Sequence, residues 1–181
     1  MQTAETVLYA GYGANRDLAM MEAIIGTRPE VLGSVVILDV ELCVQRFDQI
    51  PPGSIATAPV PQSPRQIVAR AWGEEGNFET YTIRRKEGAS VQATLFRLSA
   101  LERELVAEWE LVEFGWYDRM TVEVETEDGT KLRAETEGIG TGQEVAAVVD
   151  GRRYETFLMD PKTMFQTAEK ARLEYMHRLD A

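Results

Sequence analysis

The sequence predicts an α+β fold, mostly sheet with a few flanking helices, and three observations carry that prediction. Period-two alternation recurs at 6–12, 35–44, 79–83, 91–98, 120–126 and 132–136, with Val, Ile, Tyr or Thr in many of the apolar places. Helical spacing with capping signals is confined to three stretches. Strands and helices do not alternate along the chain, as they would in a parallel, doubly wound sheet.

The first strand, 6–12, runs into Gly11-Tyr12-Gly13 and then a helix start. Glycine tolerates positive φ and close backbone approach, Asn15 is a favoured N-cap, and Asp17 suits the positive end of a helix dipole. A helix is expected over 16–25, with Leu18, Met21 and Ile25 on one face, Gly26 as its stop and Pro29 just beyond. The amides of Tyr12, Gly13, Ala14 and Asn15 then converge where strand hands over to helix, an arrangement that binds anions. A tight turn without a ligand is the plainer reading of the same residues.

Strand 35–44 holds Cys43, the only cysteine, and its alternation predicts a buried, inert thiol. The stretch 50–64 has five prolines and a glycine, so it reads as an irregular loop inside one domain, either a lid over a site or a solvated insertion. Strands 79–83 and 91–98 flank an expected turn at 86–90. A helix at 99–108 opens on the capping box Ser99 to Glu102. Asp128-Gly129 marks a hairpin between strands 120–126 and 132–136. Asp160-Pro161 supplies an N-cap and first turn for a helix over 161–179, with Met164, Ala168, Ala171 and Tyr175 on one face. That helix either packs on the sheet or mediates a homodimer.

Length and an ordinary apolar fraction predict a single domain spanning 1–181. The net charge of −11 opposes a nucleic-acid or anionic-membrane partner, since Lys and Arg form no run longer than Arg84-Arg85-Lys86. No stretch approaches the roughly 20 apolar residues of a membrane span, and no basic segment with an apolar core begins the chain, so the expected location is cytoplasmic. His177 is the only histidine and no serine sits in Gly-x-Ser-x-Gly, which leaves little material for a histidine-based hydrolase or a His/Cys zinc site. The acidic residues Glu123, Glu125, Glu127 and Asp128 read as a solvated edge rather than a metal site. Gly11 and Gly13 do not open a dinucleotide fold, because Arg16 stands at the third glycine place.

Tyr12-Gly13-Ala14-Asn15 resembles the YGSN signature of the gamma-glutamylcyclotransferase-like family, in which this turn holds the carboxylate end of a γ-glutamyl group. A second resemblance lies at 105–124, where Glu110, Tyr117 and Arg119 align on that family's catalytic glutamate and on the tyrosine and arginine of its Tyr-x-Arg-x-x-Val-x-Val strand. The order of strands and turn over 81–98 is similar to the family's centre. Ala14 replaces the usual serine, Val106-Ala107 replaces Leu-Asp, and Arg16 stands where an apolar residue is common.

The resemblance implies a small mixed β-barrel flanked by helices and the release of 5-oxoproline from a γ-glutamyl amine or peptide, with no cofactor. It implies Glu110 as the catalytic acid–base, with Glu108 and Glu113 as alternatives, and Tyr12, Gly13, Ala14, Asn15 and Tyr117 as the substrate-binding residues. Trp109, Leu111, Phe114 and Trp116 surround Glu110 in sequence, and burial among them raises a carboxyl pKa toward that of a useful base. Arg119 reads either as a partner for a substrate carboxylate or as half of a structural salt bridge. A non-catalytic carboxylate-binding or accessory protein with the same fold is the alternative function, and a hydrolase or lyase acting on another amide is a third.

Overall fold

The computed structural model describes residues 4–73, 77–140 and 142–181. Six strands, β1 (Thr6–Gly11), β2 (Glu30–Arg46), β3 (Glu79–Ser99), β4 (Asp118–Thr126), β5 (Lys131–Gly138) and β6 (Ala147–Val149), form one sheet in the order β3-β1-β5-β4-β2-β6. β3 also pairs with β2, which closes the first five into a barrel and leaves β6 on the outer edge of β2. All pairings are antiparallel except β1 with β5, which meet in parallel at Tyr9 and Glu135, so the barrel is mixed. Four α-helices accompany it among the described residues: α1 (Leu18–Ile25), α2 (Pro64–Trp72), α3 (Ala100–Trp109) and α4 (Pro161–Leu179).

Alternation divides the strands' side chains between two environments. Ala10, Val35, Ile37, Leu42, Ile83, Val91, Ala93, Leu95, Val122, Val124 and Ala134 fill the barrel. Tyr9, Phe96 and Leu98 face outward onto Met20, Met21 and Ile24 of α1, Leu105 and Val106 of α3, and Ala168 of α4. The C-terminal helix therefore packs on α1 and α3 through the face expected to hold Met164, Ala168 and Tyr175. A third apolar cluster gathers Ile50, Val68, Phe78, Phe114, Trp116 and Tyr117 below the proline-rich loop.

Three elements differ from the sequence expectation. The residues 86–90 do not reverse the chain. Residues 86–89 form a four-residue bulge in the continuous strand β3, opposite Asp39 of β2, where the register jumps from Leu38↔Ser90 to Val40↔Arg85. Asp39 and Gly88 both have left-handed φ, 59° and 80°, and the Gly88 amide donates to Asp39 Oδ1 at 3.0 Å. The strands on either side keep their direction because the bulge only bends the barrel wall. Helix α2 and the short strand β6 have no counterpart in the sequence expectation. The Asp128-Gly129 hairpin, the Ser99 capping box and the Asp160 cap form as the sequence predicts.

Candidate active site

β1 ends at Gly11 because the chain folds back on itself there: a Cβ on Gly11 would lie 2.3 Å from the Asn15 carbonyl oxygen. Gly13 has φ +60, and a Cβ there would meet the Tyr81 side chain at 3.1 Å. The two glycines are thus required by close approach and by left-handed backbone. They admit a 3₁₀ turn, Gly13–Arg16, between β1 and α1.

That turn changes the role of Asn15. Asp17, not Asn15, is the N-cap of α1, its Oδ1 accepting from the Met20 amide at 2.9 Å. The 3₁₀ turn delays the first α-helical residue to Leu18, which places Asn15 too far upstream to cap and turns its side chain inward. Buried Asn15 spends both side-chain N–H bonds there: Nδ2 donates to Tyr9 Oη at 3.0 Å and to Glu110 Oε1 at 2.9 Å.

The backbone of the turn is partly engaged. The Gly13 amide donates to Tyr154 Oη at 3.0 Å, while that hydroxyl donates to the Gln92 carbonyl, and the Asn15 amide donates to the Tyr12 carbonyl. Among the described residues the Ala14 amide donates to no protein group. Arg16 ends the turn with its guanidinium over the Tyr154 ring, 4.8 Å from the centroid, a cation–π contact that holds this tyrosine against Gly13. Tyr12 donates its hydroxyl to the Glu137 carbonyl, and Tyr117 donates its own to the Tyr81 carbonyl, so each presents a ring rather than a free hydroxyl.

Glu110 is the C-terminal cap of α3, immediately before Leu111, whose φ of 53° is one of the two left-handed non-glycine residues in the described chain. Such conformations cost about 1–2 kcal/mol and cluster where a side chain is held for function. Burial pushes the Glu110 carboxyl up to about 8, helped by the negative charge of Glu137 and opposed by the Asn15 hydrogen bond and the Arg103 guanidinium. The two neighbouring glutamates are placed differently. Glu108 is paired with Arg178 at 2.6 Å, and Glu113 is exposed. Arg119 forms a surface ion pair with Glu104 at 2.7 Å, so of its two readings the structural salt bridge is the one formed.

Beneath Glu110 lies a buried ion pair that the sequence reading missed. Arg103 of α3 bonds Glu137 of β5 through Nη1 and half-exposed Glu135 through Nε, and its guanidinium lies over the Tyr9 ring at 5.1 Å. Among the described residues Glu137 Oε2 and Arg103 Nη2 lack a hydrogen-bond partner. Burial pushes the Glu137 carboxyl up while Arg103 opposes it. The Tyr9 phenol, buried beside Glu137 and Glu110, is pushed well above its ordinary value and stays neutral. A sequence signal existed: Glu135 and Glu137 alternate with buried Ala134 and Thr136 in a strand, and Arg103 sits among apolar Leu105 and Val106.

Tyr12, Gly13, Ala14, Asn15, Glu110 and Tyr117 all line one cavity of about 700 Å³. α2 and the end of the proline-rich loop form its far wall with Val60, Pro61, Ile67, Val68 and Trp72, and α4 adds Met164, Ala171 and His177. The loop is therefore part of the cavity wall at 60–62, while Gly53 to Thr57 face solvent. No cluster of metal-ligating side chains occurs among the described residues, and no described helix is long and apolar enough to cross a membrane.

No family model matches the chain, and no curated protein matches it. Solved structures do. The chain is similar to a gamma-glutamyl cyclotransferase, with TM-score 0.59, 18% identity and coverage of 98% of this chain and 88% of that one. It is similar to an uncharacterized protein from Homo sapiens, with TM-score 0.56, 19% identity and coverage of 98% and 88%. An Arabidopsis thaliana protein solved in solution gives TM-score 0.54 at 13% identity, covering 98% of this chain and 93% of that one. The chain has the gamma-glutamylcyclotransferase-like fold.

Proposed function

We propose that this chain is a cyclotransferase that releases 5-oxoproline from a γ-glutamyl amine or peptide, with Glu110 as its acid–base. The observation that carries the reading is the Glu110 carboxyl itself. It opens on the cavity beside the 12–15 turn, is oriented by Asn15, and is pushed up to about 8. A free α-amino group has a pKa of about 7.7–8.0, so a proton passes between it and Glu110 in either direction at little cost.

Glu110 takes a proton from the substrate's α-amine, and the freed nitrogen attacks the γ-carbonyl carbon. A nitrogen–carbon bond forms, closing the five-membered lactam, and the original amide bond breaks as Glu110 returns the proton to the departing nitrogen. Neither water nor an electron acceptor is consumed. The Ala14 amide, which donates to no protein group among the described residues, is available to meet the α-carboxylate or the developing oxyanion. Similarity to a gamma-glutamyl cyclotransferase supports the reading at the level of fold. The reading carries a cytoplasmic location and a small-molecule substrate.

The alternative is a non-catalytic carboxylate-binding protein with the same fold; the Gly13 and Asn15 amides are engaged within the protein, which narrows the anion site to fewer backbone donors in either reading. Measuring 5-oxoproline release from γ-glutamyl amino acids, γ-glutamyl amines and glutathione decides between them. Release that falls by about 10²-fold or more in Glu110→Gln, and far less in Glu108→Gln or Glu113→Gln, supports the cyclotransferase. No release from any γ-glutamyl compound would put the binding protein in its place.

A further inference from the structure

The cavity is much larger than the reacting group needs. A γ-glutamyl moiety fits beside Glu110 and the 12–15 turn, whereas a volume of about 700 Å³ lies within the range of about 300–1,000 Å³ that takes whole drug-sized ligands. The remaining space must be occupied by whatever lies across the γ-amide.

The wall facing that space is aromatic. Tyr117, Trp116, Phe78 and Trp72 follow one another along it with ring centroids 4.9, 6.4 and 5.8 Å apart, leading from the Glu110 end of the cavity to α2. Ile67 and Val68 of α2 continue the apolar surface. All three tryptophans of the chain line this one cavity. The arginines at its rim are committed to glutamates: Arg178 to Glu108 at 2.6 Å and Arg70 to Glu174 at 3.7 Å. Neither pair carries net charge, and among the described residues Lys170, exposed on α4, is the lining cation outside them.

Resting on the cyclotransferase reading, we infer that the leaving group is an aryl amine or an amino acid with an aromatic side chain, stacked along the Tyr117 to Trp72 row. Aromatic rings gain from offset and tilted packing in addition to the area they bury, and burying one aryl group is worth about 10- to 100-fold in affinity or specificity.

The test pairs substrates that share the γ-glutamyl group: γ-glutamyl-phenylethylamine against γ-glutamyl-ethylamine, and γ-glutamyl-phenylalanine against γ-glutamyl-alanine. The expected result is a kcat/KM about 10-fold or more higher for the aryl member of each pair, and a ratio that narrows several-fold in Trp72→Ala. Equal kcat/KM within each pair overturns the inference while leaving the cyclotransferase reading intact. Titration with phenylethylamine and with ethylamine, read by intrinsic tryptophan fluorescence, reports on the wall without any turnover. Saturable quenching by phenylethylamine alone supports the aryl subsite even if no γ-glutamyl compound reacts, in which case it is the catalytic reading that fails. Equal or absent quenching by the two amines counts against the subsite.

Discussion

The side-chain amide of Asn15 lies 2.9 Å from Glu110 Oε1, tying the strand-to-helix turn after β1 to the end of α3 across 95 residues of sequence. Its second N–H goes to Tyr9, so the carboxylate is oriented by a group that is itself fixed. Because the hydrogen bond favours the charged form, it holds the Glu110 pKa below the value that burial alone would produce.

Asn15→Ala should therefore do two things at once. Turnover should fall by roughly 10-fold or more as the base loses its orientation, and the alkaline rise of kcat/KM should move to higher pH by roughly one unit. A pH–rate profile of wild type and variant checks both. An unchanged midpoint would show that the contact is structural only.

Glu137 acts on the same carboxyl with the opposite sign. Its negative charge raises the Glu110 pKa, so Glu137→Gln should move the activity rise to lower pH. Wild-type kcat/KM is expected to climb as pH rises through about 8, where the Glu110 carboxylate forms. The variant should reach its plateau earlier. It should also be less stable by about 1–3 kcal/mol, because Arg103 is left buried with only Glu135 to balance it. Denaturant unfolding measures that cost separately from the pH profile.

Much of this was legible in the sequence, and the parts that were not have identifiable physical causes. The strands, the Asp128-Gly129 hairpin and the capped helices were readable because each depends on local periodicity and turn chemistry. Helix α2 carried a signal too: Ser63-Pro64-Arg65-Gln66 is a capping box with proline in the first turn, and Ser63 Oγ and Gln66 Oε1 accept each other's amides at 3.1 and 2.8 Å. The surrounding prolines obscured it. The continuity of β3 through its bulge was hidden because Gly88 resembles a turn glycine until its partner Asp39 is known. Asn15 looked like an N-cap because its inward partners, Tyr9 and Glu110, are set by tertiary packing. Tyr154 belongs to contacts between elements distant in sequence; Arg103 and Glu137 each stand out in their own element, but no local pattern pairs one with the other.

Gly11 offers a test of the turn itself. A methyl group there would stand 2.3 Å from the Asn15 carbonyl oxygen and 3.1 Å from the Phe96 ring. Backbone cannot yield as a flexible side chain does, so Gly11→Ala should displace the Gly13–Arg16 turn and with it Asn15. We expect a loss of about 1–3 kcal/mol in stability and a drop in turnover of at least 10-fold. Gly129→Ala, at a hairpin tip with open space around it, should alter stability through backbone strain alone and leave turnover as it is. Comparable activity losses in the two variants would argue against a specific role for the first turn.

The last prediction concerns stability against pH. Glu110 has an ordinary carboxyl pKa in the unfolded chain and one of about 8 in the folded protein, so the native state binds the proton more tightly. Below the unfolded value the carboxyl is protonated in both states and costs nothing. As pH rises from about 4.5 to about 8 the unfolded chain releases the proton first, and native stability falls across that window. Glu110→Gln removes the ionisation while keeping the shape and the contact with Asn15. Its melting temperature should match that of wild type near pH 4.5 and exceed it by several degrees at pH 8 to 9, a difference on the order of a few kcal/mol. A gap that stays constant from pH 4.5 to 9 would mean that the Glu110 carboxyl is solvated and titrates normally. The acid–base role assigned to it would then lose its physical basis.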